Sequence, residues 1–398
     1  MNGPAVTGPF GLGMALAERE LEGLLRNRIA TDGASGGWLR VAGRDYLNFS
    51  ANDYLGLADH PAIKTAFKAG IERYGAGAGA SPLVTGYSRA HQELEETLAE
   101  WLGVEAVLLF NCGFSANQAV LKALLGKEHL LWQDKLNHAS LQEMGSQLPC
   151  KMKRFAHNDM AALERQLEPN RGLIVSEGVF SMDGDQGPWR ELSTLAARSG
   201  NWLMIDDAHG LGVLGPEGRG TLAAQGVDPA SVHIQMGTFG KALGVAGAFV
   251  GGSRELVEYL VNFARHYVYS THMPAAQACA VSKSIELVRA ADEARAHLGQ
   301  LIARFRQGAQ AQGWQLGASA TPIQPLLVGE ISAALQLAER LRERGVWVSA
   351  IRPPTVPVGT ARLRITLSAA HREQDVDRLL DALGASPAAT TVGEARHG

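Results

Sequence analysis

The sequence predicts an α/β protein with a large, mainly parallel sheet and a smaller α+β unit at its C-terminal end. Three observations carry that expectation. The chain has 398 residues, 46% of them hydrophobic and 19% charged, enough apolar material for roughly two to three structural units and too much for a disordered chain. Short, nearly continuous apolar runs alternate with segments of helical period from about residue 88 onward, as in strands buried on both faces between crossover helices. In the last quarter the runs shorten and one of them alternates, as in a half-buried strand.

A helical pattern covers Leu16 to Arg28 and breaks at Asp32–Gly37, and a strand follows over Tyr46–Ser50. Leu94, Leu98, Trp101 and Leu102 fall at i, i+4, i+7 and i+8, one face of a helix that Gly103 ends. Ala106–Phe110 reads as a strand, and residues 115–125 as a helix stopped by Gly126. Further strands are expected at Leu173–Ser176, Trp202–Ile205, Val232–Met236 and Gly247–Val250. Ala334, Leu337, Ala338 and Leu341 mark a helix closed by Gly345, Val346–Val348 and Arg362–Leu367 read as strands, and Val376–Leu383 as a last helix ended by Gly384. The resulting plan is an N-terminal helix and arm (1–50), a large sheet domain (51–284), a small C-terminal domain (285–384) and a disordered tail (385–398).

Composition excludes several function classes. Lys+Arg 37 against Asp+Glu 40 leaves a net charge of −3, which argues against binding nucleic acid through phosphates. No run reaches the 18 or more apolar residues of a membrane span, and the N-terminus lacks a secretory pattern. Cys112, Cys150 and Cys279 are too few and too far apart for a disulfide framework or a zinc knuckle. A reduced, cytoplasmic protein is expected. Glycine is abundant, 46 of 398, which suits tight turns and close backbone approach to a ligand.

In open α/β sheets ligands bind beyond the carboxyl ends of the strands, and polar residues gather there. Phe110 is followed by Asn111-Cys112-Gly113-Phe114-Ser115, Ser176 by Glu177 with Ser181, Asp183 and Asp185 behind, Ile205 by Asp206, Asp207 and His209, and Met236 by Gly237-Thr238-Phe239-Gly240-Lys241. A lysine on a glycine-flanked loop can form a Schiff base, and a strand-end carboxylate can keep a pyridine nitrogen protonated. Those are the two protein groups that a pyridoxal phosphate (PLP) site needs. The start of a helix at Gly113-Phe114-Ser115 offers N–H donors to a phosphate. Each residue also has an ordinary reading: solvated lysine, helix-capping aspartate, loop histidine, turn serine. Their joint placement favours a site.

Two other patterns compete. Gly210–Gly215 matches G-x-G-x-x-G after a strand, but Pro216, Gly218 and Gly220 make poor helix, and a dinucleotide fingerprint must open one. Gly75–Ala80 matches a related pattern but follows a helix. Asp206, Asp207 and His209 could ligate a cation, yet they lack the paired-His spacing of zinc hydrolases and have a lysine nearby.

The stretches TFGKALGVAGAFV and IDDAHGLGVLGPEGRG, with YLNFSANDYLGLADHP, GYSRAHQELEETLAEWLG, FNCGFSANQAV, NHASL and SEGVFSMDGD, resemble the α-oxoamine synthases, over about residues 15–384. These are PLP-dependent transferases of the aspartate aminotransferase-like fold. SAIRPPTVPVGTARLRITL is most similar to the alanine-using, biotin-pathway branch rather than the glycine-using ones. The resemblance implies a decarboxylative condensation of L-alanine with a pimeloyl thioester of coenzyme A or acyl carrier protein, by a homodimer.

It also implies roles. Lys241 would bear PLP, Asp206 would pair with the pyridine nitrogen, His209 and Ser181 would lie at the phenolic oxygen, and His138 would stack on the ring. Gly113 and Phe114 would supply phosphate or other cofactor contacts and Thr238 would bind phosphate, with Ser270 and Thr271 reaching the partner's. Arg352 would clamp the amino-acid carboxylate with Thr355 nearby, and Arg26, in the N-terminal helix, would touch substrate. The chain departs from the family at Leu211, where many relatives have Thr, and in GAGASPLVTGY, where Pro82 interrupts a Gly/Ser-rich loop.

Overall fold

The computed structural model describes residues 10–386, so residues 387–398 of the expected tail lie outside the described residues. Helix α1 (Leu12–Leu21) buries none of its side chains, and without packing to prolong it the helical pattern stops short of Arg28. Gly23, at φ +67°, turns the chain, and Arg26 lies in the irregular segment beyond rather than in the helix. Strands β1 (Gly33–Ser35), β2 (Trp38–Val41) and β3 (Arg44–Asn48) form an antiparallel meander. After helix α2 (Pro61–Tyr74) comes α3 (Arg89–Leu102), whose apolar face is buried as its spacing predicts. Ser88 and His91 form a capping box at its start, and Gly103, at φ +70°, closes it.

The large sheet has seven strands: β4 (Ala106–Phe110), β5 (Leu130–Asp134), β6 (Lys151–Phe155), β7 (Gly172–Glu177), β8 (Trp202–Asp206), β9 (Ile234–Thr238) and β10 (Ala248–Gly252). Their order is β4-β10-β9-β8-β7-β5-β6. β10 runs against both its neighbours, and the other pairs are parallel. Alternation along the strands divides two cores. Leu173, Val175 and Met204 pack on one face with helix α4 (Gly113–Leu124), and Ile174, Leu203 and Ile205 on the other with Trp189 and Leu192. The order reverses between β5 and β7, because the chain goes outward to β6 and then returns. That switch opens a crevice at the carboxyl ends, where Asp134, Glu177, Asp206 and Thr238 stand.

β5 and β6 carry no strand signal that the apolar-run reading recognises. β5 ends in polar Gln133-Asp134, both fully buried, and β6 is a positively charged edge strand, KMKRF. The remaining sheet pairs β11 (Ile323–Gly329) and β13 (Ser349–Ile351) with β14 (Ala361–Thr366), all antiparallel. The expected strand Val346–Val348 is shortened to β12 (Val346–Trp347), which pairs parallel with β3, so the N-terminal meander and the C-terminal region share a sheet. Arg362 and Arg364 on β14 reach the loop after β7. Arg362 pairs with Asp183 at 2.6 Å, and Arg364 donates to the Ser181 carbonyl at 2.6 Å.

Candidate active site

α4 begins at Gly113, two residues before its apolar period. Its N-cap, Cys112, supplies no side-chain cap. The first-turn N–H groups therefore lack an intrahelical partner and point toward the crevice. These donors line one end of a cavity of about 170 Å³ with Thr238, while Asp206, Asn117 and Glu177 line its interior. A second cavity of about 770 Å³ opens outward, lined among others by Arg26, Asn52, Ser181, Thr355 and Arg364. His138, His209 and Lys241 line both, so one space is partitioned by these three side chains.

Lys241 Nζ lies 2.8 Å from His209 Nε2, and His209 Nδ1 lies 2.7 Å from Tyr54 Oη. Tyr54 donates to Asn52 at 3.1 Å, and Arg364 donates to the same Asn52 oxygen at 3.2 Å. A hydrogen-bonded chain thus runs from β14 to the lysine. Burial lowers the lysine to about 8, against the pull of Asp206 and Glu177. Burial also drops His209 well below its ordinary value, and the charges of Lys241 and Arg364 add to that. Its ring is therefore neutral. His138 caps helix α5 (Ala139–Gln147), with Nδ1 2.8 Å from Ser140 Oγ, and burial lowers it too.

Asp206 accepts from Asn117 Nδ2 at 2.8 Å and from the Ala208 N–H at 3.1 Å. Its neighbour Asp207 turns away and accepts from the Thr221 N–H at 2.7 Å and the Thr221 hydroxyl at 2.6 Å. Burial lifts that carboxyl to about 7. A Cβ at Gly178, Gly210 or Gly220 would collide with Asp207, which explains part of the glycine pattern around 210–220. That pattern opens no α-helix, and a 3-10 turn at Pro216–Gly218 follows it. No group of His, Cys, Asp or Glu able to hold a metal occurs among the described residues.

Of the expected residues, Lys241, His138, His209, Asp206, Gly113, Phe114, Ser181, Thr238, Arg26 and Thr355 all line this space. Arg26 and Thr355 touch, Nη2 to Oγ1 at 3.1 Å. Thr238 Oγ1 donates to the Gly247 carbonyl at 2.8 Å. Ser270 and Thr271 do not line it; the Thr271 carbonyl accepts from Asn111 Nδ2 at 2.8 Å, just before α4. Arg352 also stays outside, donating to the Leu25 carbonyl at 2.8 Å, and the arginines that line the cavity are Arg26 and Arg364. The alternation of Arg362-Leu363-Arg364-Ile365 on a C-terminal strand was the available signal for Arg364. Asn52, Asn117 and Glu177 were also missed as lining groups, although Glu177 stood at a noted strand exit.

The donor set fits PLP. An amine held near neutrality, a carboxylate at the cavity floor and a helix start at its far end match aldehyde, ring nitrogen and phosphate in kind. The buried Asn117 Oδ1 and Glu177 Oε1 have no hydrogen-bond partner within the protein and face the same cavity, as groups that serve a ligand do.

The family model for class I and II aminotransferases matches residues 44–383. The chain is 89% identical over its whole length, and over all of the relative's, to an 8-amino-7-oxononanoate synthase of Aeromonas hydrophila. It is 52% identical to one of Cronobacter sakazakii, over 93% of this chain and 96% of that one. Among solved structures, a variant serine palmitoyltransferase from S. paucimobilis with PLP and myriocin bound superposes with a TM-score of 0.89. It shares 27% identity over 96% of this chain and 98% of that one. The chain belongs to the class I and II aminotransferase family of PLP enzymes, in its α-oxoamine synthase branch.

Proposed function

We propose that this site condenses L-alanine with a pimeloyl thioester, releasing carbon dioxide and the thiol carrier and forming 8-amino-7-oxononanoate for biotin synthesis. The observation that carries the reading is 89% identity over the full length of a relative bearing that activity's name. Bound PLP supplies the electron sink for the pair left at the alanine Cα.

Lys241 would hold the cofactor, and its Nζ would take the Cα proton of alanine. An amine lowered to about 8 by burial is a competent base near neutral pH. Asp206, steadied by Asn117 and the Ala208 N–H, faces the ring nitrogen and keeps it protonated. Neutral His209, with Ser181, would hydrogen-bond to the cofactor's phenolic oxygen, and His138 would stack on its ring. Gly113, Phe114 and Thr238 would hold the cofactor and its phosphate at the start of α4. Arg364, tied to the Ser181 carbonyl and Asn52, receives the alanine carboxylate. The Arg26–Thr355 contact lines the route of the acyl chain. Arg352 supports that route by holding the Leu25 carbonyl.

The same reading takes residues 51–284 as the PLP-binding domain and 285–384 as the small domain, with part of the 1–50 arm in the latter's layer. It places Ser270 and Thr271 at a homodimer partner's phosphate and the protein in the cytoplasm. Among the described residues no helix is long and apolar enough to cross a membrane. The test is mass spectrometry of the product made from alanine or glycine with pimeloyl-CoA or the pimeloyl carrier protein. The nine-carbon skeleton of 8-amino-7-oxononanoate, whose terminal methyl comes from the amino acid, is expected with alanine. Turnover with glycine and a short acyl thioester alone would overturn the reading.

A further inference from the structure

β7 and β8 are parallel neighbours in a register that sets Glu177 directly beside Asp206 at their carboxyl ends. Both carboxyl groups are buried, at 2% and 5% exposure, and both line the inner cavity. Their partners differ. Each oxygen of Asp206 accepts a hydrogen bond, one from Asn117 and one from the Ala208 N–H. Glu177 Oε1 has no partner at all. Two adjacent carboxylates in a medium of low dielectric cannot both ionise freely, and the proton goes to the one whose charge is less well solvated.

We propose that Glu177 is a positioning residue that remains a neutral carboxylic acid in the working enzyme, so that the single negative charge at the cavity floor sits on Asp206. This rests on the PLP reading above only for what the charge is used for; the proton's location follows from the two side chains themselves. The charged and titratable groups around Glu177 come from four elements. Asp206 on β8 and Asp134 on β5 raise its carboxyl, beyond what burial alone does. Lys241, on the loop after β9, and the His138 backbone, at the start of α5, pull it the other way. Lys241 hydrogen-bonds to His209 rather than to Glu177, and burial is the largest effect, so the carboxyl stays well above its ordinary range.

A neutral Glu177 has a function beyond filling space. An ionised one would place a second negative charge near Lys241, favour its ammonium form and so slow its attack on an aldehyde. As an acid, Glu177 keeps a hydrogen-bond donor in the wall without adding charge. Glutamine has nearly the same shape and charge, so Glu177→Gln mimics the proposed state. Leucine keeps bulk and neutrality and removes the donor, and it serves as a second variant if the first does not fold.

The apoprotein decides the question without cofactor. A carboxyl protonated in the folded chain and ionised in the unfolded one contributes stability that is complete below the unfolded pKa and fades as pH rises toward the folded one. The melting temperature of Glu177→Gln minus that of the wild type is therefore expected to grow by several degrees between about pH 5 and about pH 8. A difference that stays flat over that range, for the glutamine or the leucine variant, overturns the proposal, because an ordinary glutamate is already ionised at its lower end.

Titration of both apoproteins with PLP, followed by visible absorbance, gives the second readout. The glutamine variant is expected to bind within about threefold of the wild type, short of the tenfold that one pKa unit of charge interaction represents. A loss beyond tenfold with a normal melt overturns the proposal. If neither protein takes up PLP, the PLP reading fails while the melting curves still decide the state of Glu177.

Discussion

His157 and His209 leave the same sheet at its carboxyl edge, and both are held through both ring nitrogens, yet they carry opposite charge states. His157 sits between Asp134 at 3.0 Å and Asp185 at 2.7 Å. Burial would lower it, but the two carboxylates win and raise it to about 10. His209 sits between a phenol and an amine, and burial, with the neighbouring positive charges, lowers it far below its usual value. The first ring is an imidazolium that knits together the exits of β5, β6 and β7. Asn158 reinforces it, donating its N–H to Asp134 at 2.8 Å and its amide to Asp185 at 3.0 Å. The second ring is neutral and leaves the amine of Lys241 without a compensating charge in direct contact. Partner chemistry, more than burial, decides which histidine binds structure together and which serves a reaction.

The comparison breaks most sharply at Lys241. Lys241→Ala is expected to abolish turnover, a loss of at least about a thousandfold, and to remove the visible band that PLP gives the wild type. Residual turnover near the wild-type level, measured by product mass spectrometry, would strip the neutral cluster of its central role. The next effect concerns the arginines. Arg364→Ala is expected to raise the KM for alanine about a hundredfold, the scale of losing a buried charge-assisted pair. Arg352→Ala, which removes only the bond to the Leu25 carbonyl, is expected to change that KM by less than about threefold. The reverse ranking in a steady-state assay would return the carboxylate site to Arg352.

A smaller effect lies in pH. Capture of PLP by the apoprotein needs the free amine of Lys241, whose fraction rises toward its pKa of about 8 and then levels. Below that pH the stopped-flow rate of band formation is expected to climb about tenfold per unit and to flatten above it. A rate still climbing above pH 9, about where an exposed lysine would remain protonated, would mean that burial does not act on this amine.

Much of the fold and of the site is legible in the sequence, and the reasons are physical. The apolar runs of β4, β7, β8, β9 and β10 are buried on both faces, so their composition announces them. The lysine and aspartate stand directly beyond two of those strands, where the fold collects ligands. What stayed hidden depended on distant parts of the chain. β6 looks like a charged loop because one edge of it meets solvent, and it becomes a strand only by pairing with β5. Val346–Val348 looks like one strand, but only Val346 and Trp347 pair, with β3 some three hundred residues earlier, and the next strand, β13, starts at Ser349 in a different sheet. The difference between Arg352 and Arg364 is one of place: Arg352 is held at the Leu25 carbonyl outside the cavity while Arg364 lines it, and Leu25 is no neighbour of either in sequence. The helix expected to carry Arg26 ends early because none of its side chains finds a core, a fact about packing that periodicity does not contain.

The smallest expected change in rate belongs to His157, and it sharpens the comparison by separating stability from chemistry. His157 touches no group lining the site, and its ring packs edge-on against Phe180 at 4.4 Å between centroids. His157→Gln keeps one or two hydrogen bonds but loses the charge between Asp134 and Asp185. Because the folded pKa is raised to about 10 from 6.5, the stabilisation is complete below the unfolded value and is lost as pH rises through the folded one. The variant is therefore expected to melt several degrees below the wild type near pH 6 and to approach it by about pH 10. At a temperature where both are folded, kcat is expected to fall by less than about threefold. A large loss of kcat with an unchanged melt would show that the imidazolium acts on the reaction through Ser181 and Asp185, and the division between a structural and a reactive histidine would no longer hold.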